Sequence, residues 1–241
     1  VKEAAYKARG FWKVVAILCL VALTGLLSFE LLCVNHLEVE GNHAVSAEAV
    51  KSLSGIKPGM NMLKISFDEV AAALSRNPYI ELRDIERQFP DTVILHVYER
   101  RERAVVEHLG AYVCIDEHGT ILRTAAQPGA GSIRVTGMGL QGVKAGERIK
   151  CKIGQKSDSL CRILQYLVDG KRLDTVAGID MRDVSDIKLT LKAGYAVLLG
   201  DAADIPEKFR WVDAMLPVLA EKGYDSGTLN VTSISGATYS P

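Results

Sequence analysis

Marks of catalytic chemistry are what this sequence has least of. It contains no G-x-S-x-G, no H-E-x-x-H and no phosphate-cradling Gly-Lys-Ser loop. The usual signs of a nucleophile elbow, a zinc protease and a nucleotide site are therefore missing. Its five cysteines, Cys19, Cys33, Cys114, Cys151 and Cys161, include no C-x-x-C pair, which excludes a zinc ribbon or a thioredoxin-like motif. Cys151 and Cys161 could pair in an oxidising compartment, but two separate buried thiols are the simpler expectation. Net charge is also missing: 29 Lys plus Arg balance 29 Asp plus Glu, so no global field draws the chain to nucleic acid. The histidines at 36, 43, 96, 108 and 118 are scattered. His108, Cys114 and His118 lie close in sequence and could in principle hold zinc, yet the strand between them need not aim all three inward. No metal, cofactor or small-molecule substrate is expected, and no enzymatic activity.

A long uncharged run is present. Residues 14–29 carry no charge, and with Glu30 tolerated near the edge the apolar stretch reaches Val34, 21 residues in all. As a helix it spans about 31 Å, close to the hydrocarbon thickness of a bilayer. Lys2, Lys7, Arg9 and Lys13 precede it, and no Lys or Arg occurs from Val14 to Val50. The positive-inside rule then places residues 1–13 in the cytoplasm and everything after Val34 outside. A cleaved signal peptide is the competing reading, but no clear small-residue cleavage site follows the run.

Beyond it, Leu37–Glu40 alternates like a half-buried strand and ends at the Gly41-Asn42 turn. Ser46 caps a helix over 47–53 with Gly55 past its end. Ser66-Phe67-Asp68-Glu69 reads as a capping box, with Phe67, Val70, Ala71 and Leu74 on one face. Residues 80–89 and 92–100 read as strands about Pro90-Asp91. The pattern predicts an α+β unit with β-α-α-β-β order over 35–101.

A second mixed α/β unit with an antiparallel sheet is expected over 102–231. Its strands are at 105–106, 112–115, 120–122, 187–191, 195–199 and 228–231, with a loop at 123–132. Its helices cover 157–168 and the stretch from about 204 to Gly223, where Pro217 predicts a kink or early stop. Residues 232–241 are left as a short tail. No internal repeat or low-complexity tract stands out.

With those elements in order, the chain resembles the FtsQ/DivIB bacterial cell-division family over almost its whole length. Residues 37–45 are similar to the first strand and Gly-Asn turn of that family's polypeptide-transport-associated (POTRA) domain. Residues 77–100, from Asn77-Pro78 through Phe89-Pro90-Asp91 to Glu99-Arg100, resemble its most recognisable block. Residues 112–122 are similar to the strand–turn–strand that opens its second domain. The short tail is a departure, and puts any tail-dependent activity in doubt.

The resemblance implies a non-enzymatic scaffold of the divisome, held in the plasma membrane by one pass and sited at the septum. It would bind FtsB/DivIC-like and FtsL-like division proteins outside the membrane. It also implies that the terminal strand of the second domain offers an open edge near 228–239, with Val231, Thr232, Ser233, Ser235, Gly236 and Tyr239 as partner-binding residues. Another POTRA-type envelope assembly factor, or a zinc-dependent envelope enzyme, is the alternative. Arg83, Arg87, Arg100, Arg101 and Arg103 form a basic cluster in sequence, read first as a solvated strand face.

Overall fold

The computed structural model describes residues 15, 17, 18, 20, 32–129 and 131–241. The four isolated N-terminal positions are helical, and Ile17, Leu18 and Leu20 expose their apolar side chains. No helix among the described residues is long and apolar enough to cross a membrane. The span expected at 14–34 lies mostly outside the described residues. The chain divides into two units, with the boundary between Glu99 and Arg100.

The first unit has the expected order: β1 (His36–Glu40), α1 (Ala47–Ser54), α2 (Phe67–Leu74), β2 (Ile80–Gln88) and β3 (Thr92–Glu99). Its sheet runs β1-β3-β2, with β1 parallel and β2 antiparallel to β3. Val93, Leu95 and Val97 face inward and pack with Val50, Val70, Leu74, Ile80 and Ile85. The Ser46 hydroxyl accepts from the Ala49 N–H, and Gly55 closes α1 in the left-handed conformation. Gly41 has φ +91°, and a Cβ there would lie 2.0 Å from the Val97 carbonyl oxygen. Only glycine fits that turn. Just beyond it, the Glu99 carboxylate accepts from the N–H groups of His43, Ala44 and Val45 at 2.7–3.2 Å.

Three details differ from the sequence reading. Ser66 makes no side-chain cap bond to α2, and Phe67 is 43% exposed, off the core face. Helix α2 ends at Leu74, ahead of Asn77-Pro78. Residues Leu32–Val34, assigned above to the membrane span, belong to the folded unit. Cys33 bridges to Asn61, the Val34 N–H donates to the Met60 carbonyl (2.8 Å), and Val34 is buried.

The second unit is a single nine-stranded sheet with two long helices. The strands are β4 (Ala104–His108), β5 (Ala111–Ile115), β6 (Ile121–Ala125), β7 (Ile133–Thr136), β8 (Val176–Asp180), β9 (Ile187–Leu191), β10 (Tyr195–Gly200), β11 (Gly227–Asn230) and β12 (Thr238–Ser240). The helices are α3 (Gly154–Asp169) and α4 (Ile205–Glu221). Strand order is β12-β11-β10-β9-β8-β7-β4-β5-β6. The sheet is mixed, not antiparallel: β4–β7, β7–β8 and β10–β11 are parallel pairs. Parallel neighbours need a crossover, and α3 and α4 supply those between β7 and β8 and between β10 and β11.

Leu160, Ile163, Leu164 and Leu167 of α3, and Phe209, Val212 and Leu219 of α4, share one core with inward residues of the sheet. Tyr166 and Phe209 pack at a tilt with ring centroids 4.9 Å apart, and Arg172 clasps Asp213 through both terminal guanidinium nitrogens. Helix α4 continues four residues past Pro217, where buried Leu219 holds its last turn on the core. The tail expected at 232–241 is part of the sheet, because its residues 238–240 form β12.

Candidate functional site

A sheet offers backbone groups to another chain only where its last strand is unpaired. At the β6 margin the segment 146–149 partly fills that role. The Ile121 N–H donates to the Glu147 carbonyl (2.9 Å), and the Gly146 N–H donates to the Ile121 carbonyl (2.8 Å). The other margin is β12, the outermost strand of the sheet.

The open edge expected near 228–239 falls on the outer part of that range, at β12, and not on 228–231. Strand β11 is paired on both sides: Tyr195–Leu198 run parallel to Gly227–Asn230, and β12 pairs antiparallel with Thr228↔Ser240, Leu229↔Tyr239 and Asn230↔Thr238. The chain reaches back because a turn at 231–237 reverses it, and that turn is locally bonded. Asn230 Oδ1 accepts from the Thr232 N–H (3.0 Å) and hydroxyl (2.8 Å), and the Ser233 and Ser235 hydroxyls are 2.7 Å apart.

The six residues read from the sequence separate into three groups. Val231 is fully buried and donates its N–H to the Leu198 carbonyl (3.0 Å), so it is a core residue and not a contact surface. Thr232, Ser233 and Ser235 are exposed on the turn, and Gly236 is half-buried at its end. Tyr239 is half-buried in β12, with its hydroxyl donating to the Ser226 carbonyl (2.7 Å) and its ring 5.3 Å from that of Tyr224. Burial, then the neighbouring phenols of Tyr195 and Tyr224, push the Tyr239 hydroxyl above its ordinary pKa. Gly227 makes room for that ring. Its φ is +136°, and an added Cβ would lie 2.5 Å from Tyr239 Cε2.

Four residues beside this turn and strand were not named from the sequence. Thr238 and Ser240 flank Tyr239 in β12 with exposed side chains. Trp211 of α4 donates its indole N–H to the Ile234 carbonyl (3.0 Å), and Ile234 is 55% exposed. These two, with Glu207, Arg210 and Asp213, line a groove of about 370 Å³. The available signal was one exposed-face tryptophan in a helix and an isolated isoleucine among serines.

The zinc candidates His108, Cys114 and His118 are not gathered into one group. Among the described residues no group of three or more His, Cys, Asp or Glu side chains is placed to hold a metal ion. Cys114 is fully buried, and burial, then the Glu102 carboxylate, push its thiol up to about 11. His118 Nδ1 instead lies 3.1 Å from Gln165 Nε2. Cys151 and Cys161 are free, buried thiols.

Four arginines of the sequence cluster are engaged individually. Arg83 pairs with Glu81 (3.2 Å) and lies 4.8 Å above the Tyr98 ring. Arg87 donates to the Met62 and Ile65 carbonyls. Arg100 and Arg103 pair with the buried Asp116 and Glu117, each at 3.1 Å.

Comparison with known proteins gives the relatives of the chain. The family model "POTRA domain, FtsQ-type" matches residues 32–100, which cover the whole β-α-α-β-β unit. The chain is 34% identical over 108 residues to the cell division protein FtsQ of a Geobacter species, covering 45% of this chain and 37% of that one. It is 32% identical over 131 residues to the cell division protein DivIB of Geobacillus kaustophilus, covering 54% and 49%. A longer match, 211 residues at 26% identity, is to FtsQ of Syntrophotalea carbinolica and covers 86% and 72%. The chain thus spans less than half the length of the first two relatives. A solved extracytoplasmic domain of DivIB from Geobacillus stearothermophilus aligns at 15% identity over 50% of this chain and 96% of that one, with a TM-score of only 0.30. With the POTRA match over 32–100 and FtsQ and DivIB relatives aligning over up to 86% of its length, the chain is related to the FtsQ/DivIB cell-division proteins.

Proposed function

We propose that this protein is a non-enzymatic, membrane-tethered scaffold of the divisome, and that it binds an extended segment of a partner by strand addition at β12. The partners are FtsB/DivIC-like and FtsL-like division proteins. Residues 14–31 cross the plasma membrane once, with the N-terminus in the cytoplasm and both folded units outside, at the septum.

The observation that carries the reading is the margin itself. Strand β12 is three residues long and pinned in place by Tyr239 rather than by any further strand. An added strand there gains main-chain hydrogen bonds, each about 0.5–1.5 kcal/mol net. Specificity comes from side chains beside the ladder. Thr232, Ser233, Ser235 and Gly236 border one end, and the Trp211–Ile234 groove offers a pocket for an apolar residue of the partner. The basic segment 1–13 before an uncharged run supports the orientation.

Titrating the full chain, in detergent or nanodiscs, with the extracytoplasmic part of a FtsB/DivIC-like protein tests this. Removal of residues 238–241 should abolish binding, while the unfolding of the second unit stays cooperative. Undiminished affinity after that truncation would reject β12 as the site.

A further inference from the structure

We infer that the end of the first unit formed by Met60, Leu63 and Phe89 rests in the headgroup layer of the bilayer. This rests on the proposal that residues 14–31 cross that bilayer. The three side chains are 38%, 53% and 63% exposed, although each is large and apolar. They surround the point where the chain enters the fold. The Met60 carbonyl accepts from the Val34 N–H (2.8 Å), the Met62 N–H donates to the Leu32 carbonyl (2.9 Å), and Cys33 bridges to Asn61. The loop carrying Met60 and Leu63 is thus zipped onto the first residues after the apolar run.

Phe89 is brought to the same end by two further links. The Asp91 carbonyl accepts from the Asn35 and His36 N–H groups at 2.9 and 3.2 Å. The Arg87 guanidinium holds the Met62 and Ile65 carbonyls at 3.0 and 2.8 Å.

Geometry then leaves little freedom. With Leu32 inside the folded unit, residues 14–31 give 18 for the crossing, or about 27 Å of helix against a hydrocarbon core of about 30 Å. On that crossing the fold begins at the bilayer face, and a crossing that is slightly short draws its flanks toward the bilayer. The residues zipped to Leu32–Val34 must lie at the surface. An isolated apolar side chain in water needs no explanation, but three around a membrane exit form a patch suited to lipid. Lys57 and Lys64 are exposed beside it, and so are Asp68 and Glu69 of α2. The mixed charge makes apolar contact the driving term, so anionic lipid is not required.

Single-tryptophan full-length chains in vesicles test this. One variant carries Trp12→Phe, Trp211→Phe and Phe89→Trp; a second keeps Trp12 and carries Trp211→Phe alone. Both are reconstituted into phosphatidylcholine vesicles, with and without lipid brominated near the headgroup end of the acyl chains. The inference expects strong quenching and a blue-shifted emission for the Phe89→Trp indole, equal when phosphatidylglycerol is added. A quenched Trp12 with an unquenched, water-like Phe89→Trp indole overturns the inference and leaves the crossing intact. If neither is quenched, the crossing itself fails and the inference falls with it.

Discussion

Gly227→Ala should release β12 without unfolding the unit that carries it. The new methyl would sit 2.5 Å from Tyr239 Cε2 and 2.7 Å from both the Tyr239 hydroxyl and the Ser240 carbonyl oxygen, at a backbone φ of +136°. Keeping the native turn would cost about 1–3 kcal/mol in backbone strain, before any clash. Moving Tyr239 aside loses its hydroxyl bond to Ser226, about 0.5–1.5 kcal/mol. Together these reach or exceed what a three-residue margin strand holds, so the strand detaches and the cost is capped by that local opening. The buried core of Leu160, Leu164, Phe209 and Leu229 stays in place and loses only the packing of Ala237 and Tyr239 against it. Urea unfolding of the second unit should therefore shift little, while amide exchange across 236–241 becomes fast. Partner affinity should fall about tenfold for each 1.4 kcal/mol needed to re-form the strand. Full protection at 238–240 in the variant, with unchanged affinity, would refute the reasoning.

Three further outcomes follow from buried or strained groups. Asp116→Ala removes a fully buried carboxylate that accepts from the His118 and Thr120 N–H groups and faces Arg100. Losing that ion pair and the acceptor of two N–H groups should cost about 2–5 kcal/mol, read by chemical denaturation of the second unit. Burial pushes the Glu99 carboxyl up, but the His43, Val45 and Ala44 N–H groups outweigh it, and its pKa is lowered overall. Its stabilisation is complete above the ordinary carboxylate range and is lost as pH falls through the lowered folded value. Glu99→Gln should therefore cost about 1–2 kcal/mol near neutrality and flatten the acid side of the first unit's stability profile. Leu109 is 92% exposed and held at φ +49° beside Gly110, in a two-residue hairpin turn. Leu109→Asn should stabilise by about 0.5–1 kcal/mol, seen as a raised melting temperature.

The first unit was legible because its signals are local. Ser46 and Gly55 bracket a helix, and Val93, Leu95 and Val97 alternate within one strand. The capping box at Ser66 failed although its letters match, since a cap depends on a rotamer that the pattern does not encode. The second unit was harder. Ile133–Thr136 and Val176–Asp180 are short central strands that pair in parallel with each other, and the first pairs in parallel with Ala104–Val106 as well, all remote in sequence. No local alternation reports such parallel pairing, and Gly178 interrupts the pattern further.

The partner site was half visible for a related reason. Tyr239 stands out in any reading, but Thr-Tyr-Ser has no apolar period, so β12 exists only because β11 lies beside it. Missing that strand spread the expected edge over 228–239 and placed Val231 on the surface, where the structure buries it.

The most direct test follows amide exchange in the intact protein while a FtsB/DivIC-like partner is added. Strand addition at β12 predicts new protection at residues 238–240, with little change along β6. Protection confined to other segments, with 238–240 exchanging as before, would contradict the account.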